Sequence, residues 1–545
     1  MKKEWYKENF IYQIYPRSFK DSNNDGIGDI VGIIQKIPYL KDLGVGIVWL
    51  SPVYKSPMED NGYDISDYQD IAEEFGSMQD FKTLVKELHK AKIKLVMDLV
   101  INHTSIEHEW FKKSVKREGK YKDFYHWEDN KVNWTSFFGG EAWTYNEERG
   151  QYYLHLFSKG QPDLNWDNPE VRNEIKKMIT FWLDLGVDGF RCDVINLIAK
   201  NNKHPNGKFS LILKGREHYL SYPNHHKYIH ELNKDVFSKY DCFTVGETTL
   251  VKPETAALLT NPTRNELTMV FQFDHMAADN YVVKYFTKKF KMINLKKPLS
   301  NWQHVINGKG WNTLYLENHD QPRSINRFGS LDYHYESATM LATMLYFQQG
   351  TPFIYQGQEL GMTNIGMDKL EDYQDIEAHT VYKTLKKIPF ISHNLIMKRI
   401  KLMSRDNART PMQWDDSKNA GFSNKKPWLK VNPNYKDINV AKQINDEDSI
   451  YSYYKKIIEL RKKYPIIVYG NYNDIDFKNK KIYSYRRLYN NQELVVICNF
   501  TDKGYILIKN DYVNYNLILS NYKENDELTL KPYEARVYLK NKGKS

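Results

Sequence analysis

The sequence predicts an α/β chain folded as a (β/α)8 TIM barrel, with a small domain inserted after the third strand and an antiparallel β-domain at the C-terminus. Three observations predict it. Eight short apolar runs alternate with amphipathic helical stretches. Two long interruptions each follow an apolar run, where a barrel accepts insertions. Beyond Tyr464 the pattern changes to short β-runs separated by Asn, Asp and Gly.

The candidate barrel strands are FIYQIY (10–15), VGIVWL (45–50), KLVMDLV (94–100), GFRCDV (189–194), CFTVGE (242–247), MVFQFD (269–274), TLYLEN (313–318) and PFIYQG (352–357). Helical periodicity lies between most of them, from Met78 to Ala91, from Pro169 to Leu185 and from Glu336 to Gln349. The second of these helices has clear start chemistry, because Asn168 can cap and Pro169 suits a first turn. Residues 1–103 are the first part of the barrel. Residues 104–167, rich in Trp, Tyr, Phe, Gly and Asn, are expected to form the inserted domain. Residues 168–464 complete the barrel, with a further insertion at about 358–448 and a closing helix from Ser449 to Lys463. Residues 465–545 form the terminal β-domain, with runs such as KIYSYRRL, ELVVICNF and EARVYLK.

Composition bounds the chemistry without choosing it. The 545 residues are 41% hydrophobic and 27% charged, as in an ordinary globular protein, and the 14% aromatic content suits sugar rings and large cores alike. The net charge of +10 comes from scattered Lys and Arg. Its densest stretch, KKFKMINLKK (288–297), reads as a solvated face, because no nucleic-acid-binding signature accompanies it. Three cysteines, Cys192, Cys242 and Cys498, are too few and too odd in number for a disulfide framework and fit a reducing cytoplasm. The N-terminal residues lack a signal-peptide apolar run, and no segment approaches the roughly 20 apolar residues that span a bilayer. The expectation is a cytoplasmic monomer that engages neither nucleic acid nor membrane.

Three acids stand at predicted strand ends: Asp193 in GFRCDVIN, Glu247 in VGET and Asp320 in ENHDQPR. One such acid is ordinarily a cap or a surface charge. Three, accompanied by Arg191, His103 and His319, would converge on the C-terminal face of a barrel. Glycosidic cleavage needs such carboxylates: one protonates the leaving oxygen, and another attacks or stabilises the oxocarbenium-like transition state.

These motifs resemble the α-amylase superfamily, glycoside hydrolase family 13, and within it the oligo-1,6-glucosidase and α-glucosidase group. DLVINH (98–103), GFRCDVIN (189–196), VGET (245–248) and ENHD (317–320) match the four family regions in order, and QPDLNW (161–166) matches the fifth. The resemblance implies a retaining exo-α-glucosidase releasing glucose from α-1,6-linked oligosaccharides, with no organic cofactor. It makes Asp193 the nucleophile, Glu247 the acid and then base, and Asp320 the residue that holds sugar hydroxyls. Arg191, on the same strand face as Asp193, would keep that carboxylate ionised, whereas Glu247 needs a raised pKa. His103 and His319 would donate to the sugar. Asp98 would support the barrel mouth. Asp60 and Arg405 would grip the far end of a terminal glucose, Tyr63 would stack on it, and Phe138, Phe157 and Gln161 would line the wall. Val194 accompanies α-1,6 preference in such enzymes, where Thr accompanies α-1,4.

DSNNDGIGD (21–29) offers alternating oxygens from Asp21, Asn23, Asp25, the Ile27 carbonyl and Asp29 around a glycine. That is hard-cation chemistry; a plain polar turn is the other reading. The resemblance implies a structural Ca2+, or Mg2+, at this loop. Other readings of the chain stay open. GETTLV (246–251) departs from the GEMPG form of oligo-1,6-glucosidases, which leaves trehalose-6-phosphate hydrolysis and sucrose or α-1,4 activity as alternatives. A non-catalytic binding or scaffold protein of the same fold is the alternative of another class.

Overall fold

The computed structural model describes residues 4–541 except 211, 282–283, 508–511 and 513, so the extreme ends of the first and last expected segments lie outside it. The eight barrel strands are β1 (Ile11–Ile14), β2 (Ile47–Leu50), β3 (Lys94–Leu99), β4 (Gly189–Cys192), β5 (Phe243–Glu247), β6 (Met269–Phe271), β7 (Thr313–Leu314) and β8 (Thr351–Tyr355). They lie in one sheet in the order β6-β5-β4-β3-β2-β1-β8-β7, the cyclic succession of a (β/α)8 barrel. Every residue of β1, β2, β4 and β8 is buried, as expected for parallel strands covered on both faces.

The strands are shorter than the apolar runs. The run TLYLEN pairs only through Leu314, because beyond it side chains take over the backbone groups: His275 Nε2 lies 2.8 Å from the Tyr315 carbonyl. Asp320 therefore sits in a turn beyond the strand, where the Asn318 side chain accepts its N–H at 2.8 Å. Helix boundaries follow capping chemistry. Ser77 and Asp80 form a reciprocal capping box at the start of Met78–Lys90. Asn168 accepts the Glu170 N–H at 3.0 Å ahead of Pro169–Asp184, and Ser449 caps Ile450–Lys463.

The chain divides into two compact units, residues 49–272 and residues 1–48 with 273–545. In the first, β3, β4, β5 and β6 pair in parallel, with Asp98 opposite Arg191 and Gly246 opposite Cys192. The segment after β3 carries helix Glu109–Val115 and a three-stranded sheet of Trp127–Glu128, Trp143–Asn146 and Gln151–Leu154. Trp134, Trp143, Leu154 and Leu156 form its core together with Val194 and Leu197. In the second unit, the segment after β8 packs helices Ile376–Lys386 and His393–Met403 around Leu385, Ile396, Ile400 and Met403. The C-terminal sheet of the same unit comprises β9 (Asn471–Ile475), β10 (Ile482–Tyr489), β11 (Gln492–Asn499), β12 (Asn516–Ser520) and β13 (Ala535–Asn541), antiparallel in the order β9-β10-β11-β13-β12. Its β10–β11 hairpin closes on two residues, with Asn490 at φ 50, a conformation that Asn tolerates. No helix among the described residues is long and apolar enough to cross a membrane.

Candidate active site

In unit 49–272 the ends of β3, β4 and β5 bring three carboxyl groups to one guanidinium. Arg191 and Asp193 are two residues apart, so both leave the same side of the chain. Arg191 Nη1 lies 2.6 Å from Asp98 Oδ1 and 2.5 Å from Asp193 Oδ1, and Nη2 lies 2.5 Å from Glu247 Oε2. Asp193 and Glu247 are also within hydrogen-bonding reach of each other. Both accept from the one Arg191 guanidinium, which keeps them close together, as in the roughly 5 Å pair of a retaining glycosidase rather than a wider inverting pair. Trp49 Nε1 donates to Asp98 Oδ2 at 3.0 Å, and the Tyr63 hydroxyl donates to the same oxygen at 3.3 Å. The Arg191 guanidinium lies 5.7 Å from the Tyr63 ring centroid and 5.5 Å from that of Trp49.

Burial decides the electrostatics of this group. It pushes Asp193 up to about 6, against the lowering influence of Arg191, and Asp98 adds to the rise. Asp98 is likewise raised to about 6 by burial, with Arg191 opposing. Burial alone would lower Arg191, but Asp98, Glu247 and Asp193 outweigh it and hold the guanidinium well above its ordinary value. Arg191 does lower Asp193, as a counter-charge on the same strand face should, but it does not offset the burial. One cation is divided among three buried acids, and desolvation wins.

Val194 follows Asp193 at φ 35 and ψ 40, a strained conformation for a β-branched residue, and its N–H lies 3.3 Å from Glu247 Oε2. Tyr63, His103, Gln161 and Asp60 form a neighbouring cluster. Gln161 Nε2 donates to Asp60 Oδ2 at 3.1 Å, and its Oε1 accepts the Ser158 N–H at 3.0 Å. His103 Nε2 lies 3.1 Å from the Tyr63 carbonyl, and burial lowers the ring to about 4, so it is neutral. Phe157 packs against His103 at 5.2 Å and edge-on to Phe138 at 5.6 Å.

In the other unit, His319, Asp320 and Arg405 come together. His319 Nδ1 lies 2.8 Å from Gln13 Nε2, and its Nε2 lies 3.1 Å from Asp320 Oδ2. The ring stacks on Tyr15 at 6.3 Å. Arg409 Nη2 donates to Asp320 Oδ1 at 2.8 Å, and Arg405 Nη1 lies 3.4 Å from the same oxygen. Burial would raise the Asp320 carboxyl, but His319, Arg405 and Arg409 together hold it well below the usual carboxylate range. Asp320 is thus held ionised while burial shifts Asp193 the other way: two acids, opposite shifts, set by neighbours. Arg405 is itself anchored by Asp375, which accepts from its Nε at 2.8 Å and its N–H at 2.9 Å.

The candidate metal loop closes through its own side chains. Asp21 accepts the Asn24 and Gly26 N–H groups, Asn23 Oδ1 the Asp25 N–H and Asp25 Oδ1 the Ile27 N–H. Asp29 accepts from Ser22 and caps the following helix at Gly32. Gly26 sits at φ 97, and a Cβ there would meet the Lys426 carbonyl oxygen at 2.3 Å. Among the described residues no three His, Cys, Asp or Glu side chains gather into a metal-holding group. The donor chemistry of Asp21 and Asp25 suits a hard cation, because each of their carboxylate oxygens accepts one N–H and keeps a lone pair, whereas Asp29 Oδ1 is already taken by Ser22 and Gly32.

Several residues were not singled out from the sequence. Asp163, Lys200 and Asn102 form a buried network beside His103, with Lys200 Nζ 2.7 Å from Asp163 Oδ2 and 2.7 Å from Asn102 Oδ1. Arg409, Asp375 and Gln13 hold the second constellation. Asp163 lies inside the quoted stretch QPDLNW and Arg409 lies four residues beyond Arg405, but nothing in their sequence surroundings distinguishes them from surface charges.

Acids at the ends of neighbouring barrel strands, paired on one arginine, define a glycosidase. The chain belongs to the alpha-amylase family: the family model "Alpha amylase, catalytic domain" matches residues 13–470. It is 52% identical to an oligo-1,6-glucosidase of Parageobacillus thermoglucosidasius over 99% of both chains, and 49% identical to one of Bacillus cereus over 99% of this chain and all of that one. The crystal structure of Bacillus licheniformis trehalose-6-phosphate hydrolase superposes with a TM-score of 0.94 at 45% identity, covering 99% of this chain and all of that one.

Proposed function

We propose that the chain is an oligo-1,6-glucosidase, a retaining exo-acting hydrolase that releases glucose from the non-reducing end of α-1,6-linked gluco-oligosaccharides. The observation that carries the substrate is full-length identity of about half to the oligo-1,6-glucosidases. Val194 beside the acid pair supports the linkage, because a methyl there offers the aglycone no hydrogen-bond partner.

Chemistry follows from the acid pair. Glu247 gives its proton to the glycosidic oxygen as Asp193 attacks the anomeric carbon, forming a glucosyl ester and releasing the aglycone alcohol. Water then attacks the anomeric carbon, Glu247 takes its proton, the bond from that carbon to Asp193 breaks, and Asp193 leaves as carboxylate. Two inversions retain the α configuration. Asp320, held ionised, accepts from sugar hydroxyls. His103 and His319 donate to the sugar, Tyr63 stacks on it, and Asp60 and Arg405 grip its far end. Phe138, Phe157 and Gln161 form the wall. Asp193→Asn and Glu247→Gln each abolish turnover in a folded protein.

The loop of Asp21, Asn23, Asp25, Ile27 and Asp29 is proposed to hold a structural Ca2+ that supplies no chemistry to the reaction. The enzyme is proposed to be a cytoplasmic monomer. A column-calibrated mass near the 64.7 kDa of one chain is expected, and a dimer mass overturns that part.

Maltose, isomaltose, panose, sucrose and trehalose 6-phosphate at matched concentration test the function. The highest kcat/KM is expected on isomaltose and on the α-1,6 bond of panose. Dominant activity on trehalose 6-phosphate overturns the substrate and leaves the mechanism standing. Absence of hydrolysis of any α-glucoside overturns both and favours a scaffold role.

A further inference from the structure

Three side chains beside His103 are arranged so that hydrogen can sit on only one of its ring nitrogens. Asn102, Asp163 and Lys200 are buried with it. Lys200 has donors only, and its Nζ lies 2.7 Å from Asn102 Oδ1. A carboxylate has acceptors only, and Asp163 Oδ2 lies 3.0 Å from Asn102 Nδ2. The Asn102 amide is therefore fixed at both ends, with oxygen toward Lys200 and nitrogen toward Asp163. That same Nδ2 lies 3.2 Å from His103 Nδ1. A donor faces Nδ1, so Nδ1 must accept, and the ring hydrogen belongs on Nε2. Nε2 in turn lies 3.1 Å from the Tyr63 carbonyl, which can only accept. Gln161 Nε2 also lies 3.2 Å from His103 Nε2 and gives one of its two hydrogens to Asp60; because Nδ1 faces only a donor while Nε2 also faces the Tyr63 acceptor, the ring hydrogen still belongs on Nε2.

We propose that Lys200, Asp163 and Asn102 are positioning residues that lock His103 in its Nε2–H tautomer, so that Nε2 can only donate: to the Tyr63 carbonyl in the free protein, and to a sugar hydroxyl that shares or takes over that hydrogen when substrate binds. This rests on the reading of His103 as a sugar contact. Lys200 and Asp163 thus act through two intermediaries and touch no substrate. The ion pair between them, 2.7 Å long and shielded from water, is one whose value lies in orientation as much as in stability. The network also joins three chain segments, because Asn102 follows β3, Asp163 belongs to the inserted segment and Lys200 follows β4. The tautomer is therefore set only once those segments are assembled.

The test is nitrogen NMR of the full-length protein labelled at histidine, with the His103 signals identified by their loss in His103→Gln. The expected wild-type result is a protonated Nε2 and an unprotonated, hydrogen-bonded Nδ1. A protonated Nδ1, or a mixture, overturns the proposal without any variant having to fold. The Asn102→Asp/Asp163→Asn variant keeps the net charge but turns an acceptor toward Nδ1. It should move the hydrogen to Nδ1 and lower kcat/KM on the order of 10- to 100-fold, because a sugar hydroxyl then lacks its donor. Retention of the Nε2–H signature with unchanged kcat/KM in that folded variant also overturns it. His103→Gln separates the two readings. Near-normal kcat/KM there removes His103 from the sugar site, whereas the wild-type spectrum still decides the tautomer.

Discussion

Replacing Arg191 by Met removes the charge and the fork while keeping most of the length. In the wild type Arg191 Nη1 and Nη2 each lie 2.5 Å from a carboxyl oxygen of the acid pair. It is the largest influence lowering Asp193, yet burial still leaves that group at about 6. A hydrogen bond to a charged partner is worth about 1.5–3 kcal/mol, and 1.36 kcal/mol is one pKa unit. Removing it therefore lifts the Asp193 midpoint by about 1–2 units, to between pH ~7 and ~8. The assay is kcat/KM on a chromogenic α-glucoside from pH 4.5 to 9 at fixed ionic strength, which reports the free enzyme. The wild-type acid limb should fall near pH 6, as a property of the coupled Asp98, Asp193 and Glu247 group. In Arg191→Met the limb should move up, and activity at pH 7 should drop about 2- to 10-fold from ionisation alone. Arg191→Lys should fall between, because a point charge cannot reach both carboxyls in the same way. An Arg191→Met enzyme whose acid limb stays near pH 6, with kcat/KM within twofold of wild type, would refute the reasoning.

The opposite shifts of Asp193 and Asp320 give opposite stability signs. Asp193 is raised from 3.8 to about 6 in the fold, so its ionisation costs stability above pH 6 and the cost fades as pH falls toward 4. Asp193→Asn should therefore stabilise at pH 7.5 by up to roughly 2–3 kcal/mol, with the gain vanishing near pH 4 in denaturant titrations. Asp320 is lowered, so its contribution is full above its unfolded pKa and lost as pH falls through the folded one; Asp320→Asn should destabilise at pH 7.5. Val194→Thr should shift the isomaltose-to-maltose ratio of kcat/KM toward maltose by about 10-fold, and an unchanged ratio removes Val194 from linkage choice. Saturating Ca2+ should raise the melting temperature relative to an EDTA-treated sample, while kcat at 25 °C stays the same; identical melting in both argues against the loop as a cation site.

Much of the architecture was legible because a parallel barrel strand is buried on both faces and reads as an unbroken apolar run. Strand ends were less legible. The run from Tyr315 to Asn318 is as buried as Leu314, and nothing in its hydrophobicity reveals that His275 takes the Tyr315 carbonyl. The site divided along the same line. Acids in recognisable strings could be found one by one, but their pKa values depend on who shares a partner. The sequence places Arg191 two residues from Asp193; it does not reveal that Asp98 and Glu247 draw on the same guanidinium. Asp163 and Lys200 were missed for a related reason. Thirty-seven residues apart in the chain, each looks like a surface charge until folding buries both and makes them each other's counter-ion.

Trapping of the glycosyl intermediate tests the central claim most directly. A fluorinated α-glucosyl fluoride that forms the ester readily and hydrolyses it slowly should inactivate the enzyme, and peptide mass spectrometry should find one hexosyl label, on Asp193. A label on another residue, or full turnover of the reagent to the β anomer of the fluorinated sugar with no covalent adduct at any time, contradicts the account.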